Sequence, residues 1–154
     1  MGRSMRVLVD TNVLIDYFGA QEQFYQDSVK LKAAAFFGDI DLWAASHSFT
    51  DVFYILNKEH KSRAIQDMFL SSKEFLNICS VAPEDIYGSA QEKWSDFEDC
   101  LIHHCALKVK AEYLITRDAQ GFTHAQIPCF TPAELFEKLE KETGVSYAEI
   151  DRNR

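Results

Sequence analysis

Short unbroken apolar runs alternate along the chain with longer stretches in which apolar residues return at helical spacing. Val7 to Val9 is such a run, with β-branched residues, and reads as a strand buried on both faces. Asp10 ends it. Thr11 and Asn12 break the pattern, and Val13, Leu14, Tyr17 and Phe18 resume as a helix, for which Asp10 or Asn12 is a possible cap. The same change of period then repeats. A helix is predicted over 21–37, carrying Phe24, Val29, Leu31 and Phe36 and closed by Gly38. A strand follows over 40–44, then a helix over 46–56 with Phe49, Val52, Phe53 and Leu56 on its buried face. A charged turn at 58–61 leads to a helix over 62–75 with Ile65, Met68, Phe69 and Leu70 inward. A third strand spans 77–81, and Pro83 opens a helix that runs to about Trp94. Another helix starts at Ser95 or Asp96 and continues to Val109, with its acids at the positive end. Strands over 113–116 and 127–130 flank a tight loop at 117–122. Thr131 as cap, Pro132 at the first position and Glu134 at the capping-box position start a last helix.

Strands that alternate with helices predict an α/β fold: a three-layer α/β/α sandwich around a central, mostly parallel five-stranded sheet. No internal repeat, low-complexity stretch or domain boundary interrupts the pattern. One domain is expected over 5–143, followed by a loosely held polar tail over 144–154. Residues 1–4, ahead of Met5, read as a cloning remnant.

Composition changes this picture in one respect. Hydrophobic residues make up 47% of the chain and the net charge is −8. An ordered core is expected, but no basic face for bulk nucleic-acid binding, unless a bound cation reverses the local sign. Cys79, Cys100, Cys105 and Cys129 form no Cys-x-x-Cys pair and sit in apolar surroundings. They are expected as buried free thiols in a reducing cytoplasm, without a disulfide or zinc site. Arg3 and Arg6 precede only a short apolar run, which fits neither a secretory signal nor a membrane span.

In a fold of this type, the carboxyl ends of the strands and the helix starts that follow them share one edge. Asp10, Asp51, Asp99 and Asp118 are predicted there, with Asp96 as a fifth acid, either an auxiliary ligand or a cap. Converging carboxylates repel unless a positive charge sits among them. Oxygen-only ligands select Mg²⁺ or Mn²⁺. Such ions activate water and neutralise phosphoryl oxygens, which suits phosphodiester hydrolysis.

Four motifs occur in order: Val9-Asp10-Thr11-Asn12-Val13-Leu14, Phe49 to Leu56 around Asp51, Asp96 to Ile102 around Asp99, and Leu114-Ile115-Thr116-Arg117-Asp118. Together they resemble the PIN-domain family over nearly the whole chain, from Met5 to about Leu139. The resemblance implies a metal-dependent ribonuclease acting on single-stranded RNA, leaving 5′-phosphate and 3′-hydroxyl ends. It also implies a toxin of the VapBC type with an antitoxin partner, and a homodimer. Asp10, Asp51, Asp99 and Asp118 stand at the family's acidic positions, with Asn12 and Thr116 as supporting polar residues. Asp10, Asp99, Asp118 and Asp96 are the candidate metal ligands. Asp51 departs from the family's common Glu and is one methylene shorter. Glu98 is the alternative to Asp99, but on an ideal helix it points about 100° away. Asp16 lies beyond the first turn of its helix and is expected outside the cluster.

Lys58, Lys61, Arg63 and Arg117 are the candidate RNA contacts, each also readable as a solvated charge. Trp43 and Trp94 offer stacking surfaces, against a plainer role in the core or an interface. His103 and His104 do not read as a metal pair, because neighbours on a helix point apart. Two other readings retain the fold: a non-catalytic RNA- or protein-binding module, and an RNA-maturation nuclease without an antitoxin. An aspartyl phosphatase would need an acid where Asn12 stands.

Overall fold

A computed structural model describes residues 4–20 and 23–147. Five strands, β1 (Met5–Val9), β2 (Ile40–Ala45), β3 (Asn77–Cys79), β4 (Tyr113–Ile115) and β5 (Cys129–Phe130), form one sheet in the order β3-β2-β1-β4-β5. Every pairing is parallel. The helices are α1 (Thr11–Phe18), α2 (Tyr25–Phe36), α3 (Ser46–Leu56), α4 (Ser62–Ser71), α5 (Pro83–Glu92), α6 (Phe97–Lys108) and α7 (Pro132–Thr143). Short 3₁₀ turns follow α4 and β4. No helix among the described residues is long and apolar enough to cross a membrane.

β1 is central and separates two cores. Val7 and Val9 join a cluster with Leu14, Phe18, Leu31, Val52, Ile65 and Leu135. Leu8 points the other way, into a cluster with Ile102, Cys105, Ala106, Leu114 and Phe122. This is the period-two alternation of a strand covered on both faces, so the three-layer α/β/α arrangement holds. β1 pairs with β2 on one side and β4 on the other. The chain order reverses there, which puts the end of β1 at the topological switch point where ligands of open parallel sheets bind.

Several boundaries differ from those the pattern predicts. α2 begins at Tyr25, behind a turn at Gln23 and Phe24. The expected start over 21–22 lies outside the described residues. The helix predicted over 62–75 ends at Ser71, and its last turn tightens into 3₁₀ form. Leu70, expected inward, is 65% exposed. α4 leans on the core through Ile65, Met68 and Phe69, and Leu70 falls the next 100° round the helix. β5 holds only Cys129 and Phe130, because Pro128 has no N–H and joins the sheet through its carbonyl, which accepts from Leu114 N. The cap and capping box at Thr131 and Glu134 are present. Gly38, just past the end of α2, has φ +83°, which favours glycine.

The tail is docked where it begins. Tyr147 is buried against Phe136, and its hydroxyl donates to Asp39. The rest of the tail, 148–154, and residues 1–3 of the expected remnant lie outside the described residues. The burial difference along the chain has a measurable consequence. Leu8→Ala should cost about 2–5 kcal/mol in urea unfolding. Leu70→Ala should stay within about 0.5 kcal/mol of the parent.

Candidate metal-binding acidic site

Asp10 follows β1 and is buried. Its Oδ1 accepts from Thr11 N at 2.7 Å, so it caps α1 as well as facing the sheet edge. Its Oδ2 accepts from the Thr116 hydroxyl at 2.8 Å. Thr116, at the end of β4, also accepts from Asn12 Nδ2 at 3.3 Å and from Asp118 N at 3.1 Å. With two donors pointing at its oxygen, its one proton goes to Asp10. Thr116 thus ties together the ends of β1 and β4 and the start of the Asp118 loop.

α6 supplies three more acids. Asp96 caps it, its Oδ1 accepting from Asp99 N at 3.1 Å. Asp10, Glu98 and Asp99 each offer a carboxylate oxygen within 4.8 Å of the others. Glu98 therefore does not point away from the cluster as ideal helix geometry suggests. Its longer side chain reaches Thr11 Oγ1 at 2.9 Å and His47 Nε2 at 2.7 Å, and those donors draw it in. Ser48 Oγ lies 2.7 Å from Thr11 Oγ1 behind it. Asp51, one turn after His47 on α3, groups with His47 and Glu98 and not with Asp10 and Asp99. Asp118 caps the 3₁₀ turn after β4, accepting from Gln120 N, and its charge acts on Asp99.

The loop after Asp118 comes close to Asp99. A Cβ placed on Gly121 would lie 2.4 Å from Asp99 Oδ2. Only glycine leaves that carboxylate its place. His47, Ser48 and Gly121 were not singled out in the sequence as members of this site, and Glu98 was weighed only as the alternative to Asp99. Ser46-His47-Ser48 open the helix after β2, so strand-edge placement alone could have drawn attention to them.

Burial and like charge raise the proton affinity of the cluster. Asp10 is pushed up to about 6, first by burial and then by Glu98, with the hydrogen bonds from Thr116 and Thr11 opposing. Asp99 is pushed up to about 7 by burial, then by Asp10, Asp96, Glu98 and Asp118. Asp51 is raised by burial, with His47 opposing. Oxygen donors this close, with no Lys or Arg of the described residues paired to Asp10, Glu98 or Asp99, fit a hard divalent cation.

Arg117 Nε is 2.7 Å from Asp16 Oδ2, and the guanidinium sits 4.3 Å over the Phe24 ring. Its charge is engaged by a buried carboxylate, so it anchors the loop. Asp16 is outside the acidic cluster. Lys58 follows α3 and lies over Tyr54. About 14 Å of helix separates His47 from the end of α3 that precedes Lys58. Lys61 and Arg63 are exposed at the start of α4. Trp94 stacks on buried His103 and edges Phe122. Trp43 lies beneath Arg6.

A sequence model of the PIN domain matches residues 6–120. Ribonuclease VapC1 of Aquifex aeolicus (strain VF5) is 27% identical over 146 residues, covering 88% of this chain and 96% of that protein. A toxin–antitoxin complex from Klebsiella pneumoniae superposes with TM-score 0.60 at 24% identity, covering 82% of this chain and 97% of the matched one. VapC20 of Mycobacterium tuberculosis, a Sarcin-Ricin loop cleaving toxin, gives 0.62 at 13% identity, covering 77% and 94%. At these identities the solved structures establish the fold.

The raised carboxylates set a pH dependence for the metal-free protein. The folded state binds a proton at Asp10 that the unfolded chain has already released between pH 4 and 6. Stability therefore falls as pH rises through that window, by about 3 kcal/mol. Asp99 extends the loss towards pH 7. In EDTA, Tm should fall from pH 5 to pH 8, and Asp10→Asn should flatten the fall. At pH 8, Mg²⁺ or Mn²⁺ should raise Tm of the parent and leave the variant nearly unmoved.

Proposed function

The chain belongs to the PIN domain family, and from that premise we propose that it is a divalent-metal-dependent endoribonuclease. It hydrolyses phosphodiesters of single-stranded RNA and serves as the toxin of a VapBC-type pair. The observation that carries the reading is the convergence of Asp10, Glu98 and Asp99 at the switch point of the sheet. The ribonuclease relative and the toxin–antitoxin complexes among its structural neighbours support it.

Asp10, Glu98 and Asp99 would hold Mg²⁺ or Mn²⁺, with Asp118, Asp96 and Asp51 completing the acidic surroundings. When bound, the cation supplies Lewis acidity toward a phosphoryl oxygen and lowers the pKa of water. The protein's own groups orient the acids. Thr116 and the Thr11 N–H fix the two oxygens of Asp10, while Thr11 and His47 fix Glu98. No side-chain nucleophile is required. The Thr116 proton is committed to Asp10 and the Thr11 proton to Glu98. Water adds to phosphorus, the P–O3′ bond breaks, and the 3′ oxygen leaves with a proton. The products carry 5′-phosphate and 3′-hydroxyl ends.

Lys58, Lys61 and Arg63 offer phosphate contacts to RNA that extends along α3. Arg117 serves as the tether of the Asp118 loop through Asp16. An antitoxin and a second copy of the chain are the expected protein partners, in a cytoplasmic setting.

Cleavage of a labelled mixed-sequence single-stranded RNA tests the reading. Cutting should occur with Mg²⁺ or Mn²⁺, stop in EDTA, and be lost in Asp10→Asn at unchanged circular dichroism. Metal-stabilised protein that never cuts would favour the binding-module reading. Glu98→Gln should cost more activity than Asp51→Asn. Thr116→Val should lose about 10–100-fold, the scale for groups that orient metal ligands. Gly121→Ala should impair cutting by displacing Asp99. Full activity in that variant would contradict the assignment of Asp99.

A further inference from the structure

Helices α5 and α6 bring three different ligand types together on the seam between them. Glu92 is the last residue of α5. Cys100 and His104 stand four residues apart on α6 and share one face. A Glu92 carboxylate oxygen, Cys100 Sγ and a His104 ring nitrogen all lie within 4.8 Å of one another. His104 Nε2 touches the Glu92 carboxylate directly. Cys100 is fully buried, while the side chains of Glu92 and His104 are 37% and 23% exposed. The sulfur is therefore the innermost of the three, and the other two groups reach toward solvent.

The seam is shaped around these groups. A Cβ on Gly88 would stand 3.1 Å from His104 Cε1, so the imidazole lies against the backbone of α5. Ser89 is 1% exposed, and its carbonyl accepts from the Cys100 thiol at 3.7 Å. Its hydroxyl oxygen is buried without a hydrogen-bond partner. Buried polar atoms are seldom left so, and this one belongs to the residue whose carbonyl meets the Cys100 thiol.

We propose that Glu92, Cys100 and His104 form a binding site for a borderline-soft divalent cation, Zn²⁺ by its chemistry, which clips α5 onto α6. One thiolate, one imidazole and one carboxylate with an open fourth position match the donors of three-ligand zinc sites. Ligand atoms around tetrahedral zinc sit about 3.3–3.5 Å apart, given bonds of about 2.0–2.3 Å. The three atoms already lie within 4.8 Å of one another, and side-chain rotation adjusts them to that spacing, the touching Glu92 and His104 parting to admit the ion. Ligation replaces the thiol proton, which leaves to solvent. A thiolate disfavours Mg²⁺, so this site and the oxygen cluster select different ions. Cys100 follows Asp99 but lies about 100° round the helix, facing α5. His104 acts here with Cys100 and Glu92, not with its neighbour His103.

Co²⁺ as a spectroscopic stand-in tests this on the full, tag-free chain. Excess Mg²⁺ keeps the oxygen cluster occupied. The parent should bind one equivalent, displaceable by Zn²⁺, with a sulfur-to-cobalt charge-transfer band in the near ultraviolet. Cys100→Ser should lose the band and Cys129→Ser should keep it. No band in the parent, or an undiminished band in Cys100→Ser, overturns the site. Should Cys100→Ser fail to fold, His104→Gln decides on the exposed rim. Binding weakened at least tenfold supports the proposal, and unchanged affinity overturns it. Zn²⁺ should also raise Tm of the parent and not of His104→Gln.

Discussion

A carboxylate withdrawn from water at the end of the central strand is the constraint on which the site depends. Asp10 has two neighbouring strands beside it and α1 beginning at its own backbone. Burial and the charge of Glu98 both oppose its ionisation. Two hydrogen bonds offset part of that cost, one from the Thr11 N–H and one from the Thr116 hydroxyl. The remaining imbalance is the energy a bound cation would relieve. The parallel sheet is what makes this possible. Its register brings Ile115 beside Val9, so Thr116 arrives next to Asp10 without a special loop.

α6 carries the other half of the site, and packing rather than charge positions it. Cys100, Leu101, Ile102, Cys105 and Ala106 are buried. They leave the acids in the first turn at the sheet edge, near the positive end of the helix. The same helix offers Cys100 and His104 to α5. An ion on that seam would hold the helix that carries Glu98 and Asp99, which links the two sites mechanically while their ligand chemistry stays separate.

The supporting groups around the acids fall into two arms. On the β2 side, His47 and Ser48 reach Glu98 and Thr11. On the β4 side, Thr116 and Asn12 connect to the Asp118 loop, and Arg117 anchors that loop on buried Asp16. Gly121 lets the loop close over Asp99. Asp16 illustrates how a buried acid can serve structure alone: its partner is a guanidinium, whereas no guanidinium of the described residues is paired to Asp10, Glu98 or Asp99.

Periodicity alone determined the order of strands and helices, their burial on both faces, and the edge on which Asp10, Asp99 and Asp118 would stand. Those are local properties: an apolar run of strand length, a cap, a change from period two to period 3.6. Tertiary structure decided what local pattern does not encode. It decided that Glu98 turns inward, because donors at Thr11 and His47, 87 and 51 residues away in sequence, pull a long side chain against its ideal direction. It decided that Arg117 is spent on Asp16, that Leu70 faces solvent, and that Gly121 must be small because Asp99 fills the space a side chain would need. It also brought Glu92 to Cys100 and His104, a trio of which sequence spacing announces only the second two, since Glu92 comes from another helix and only packing sets its distance.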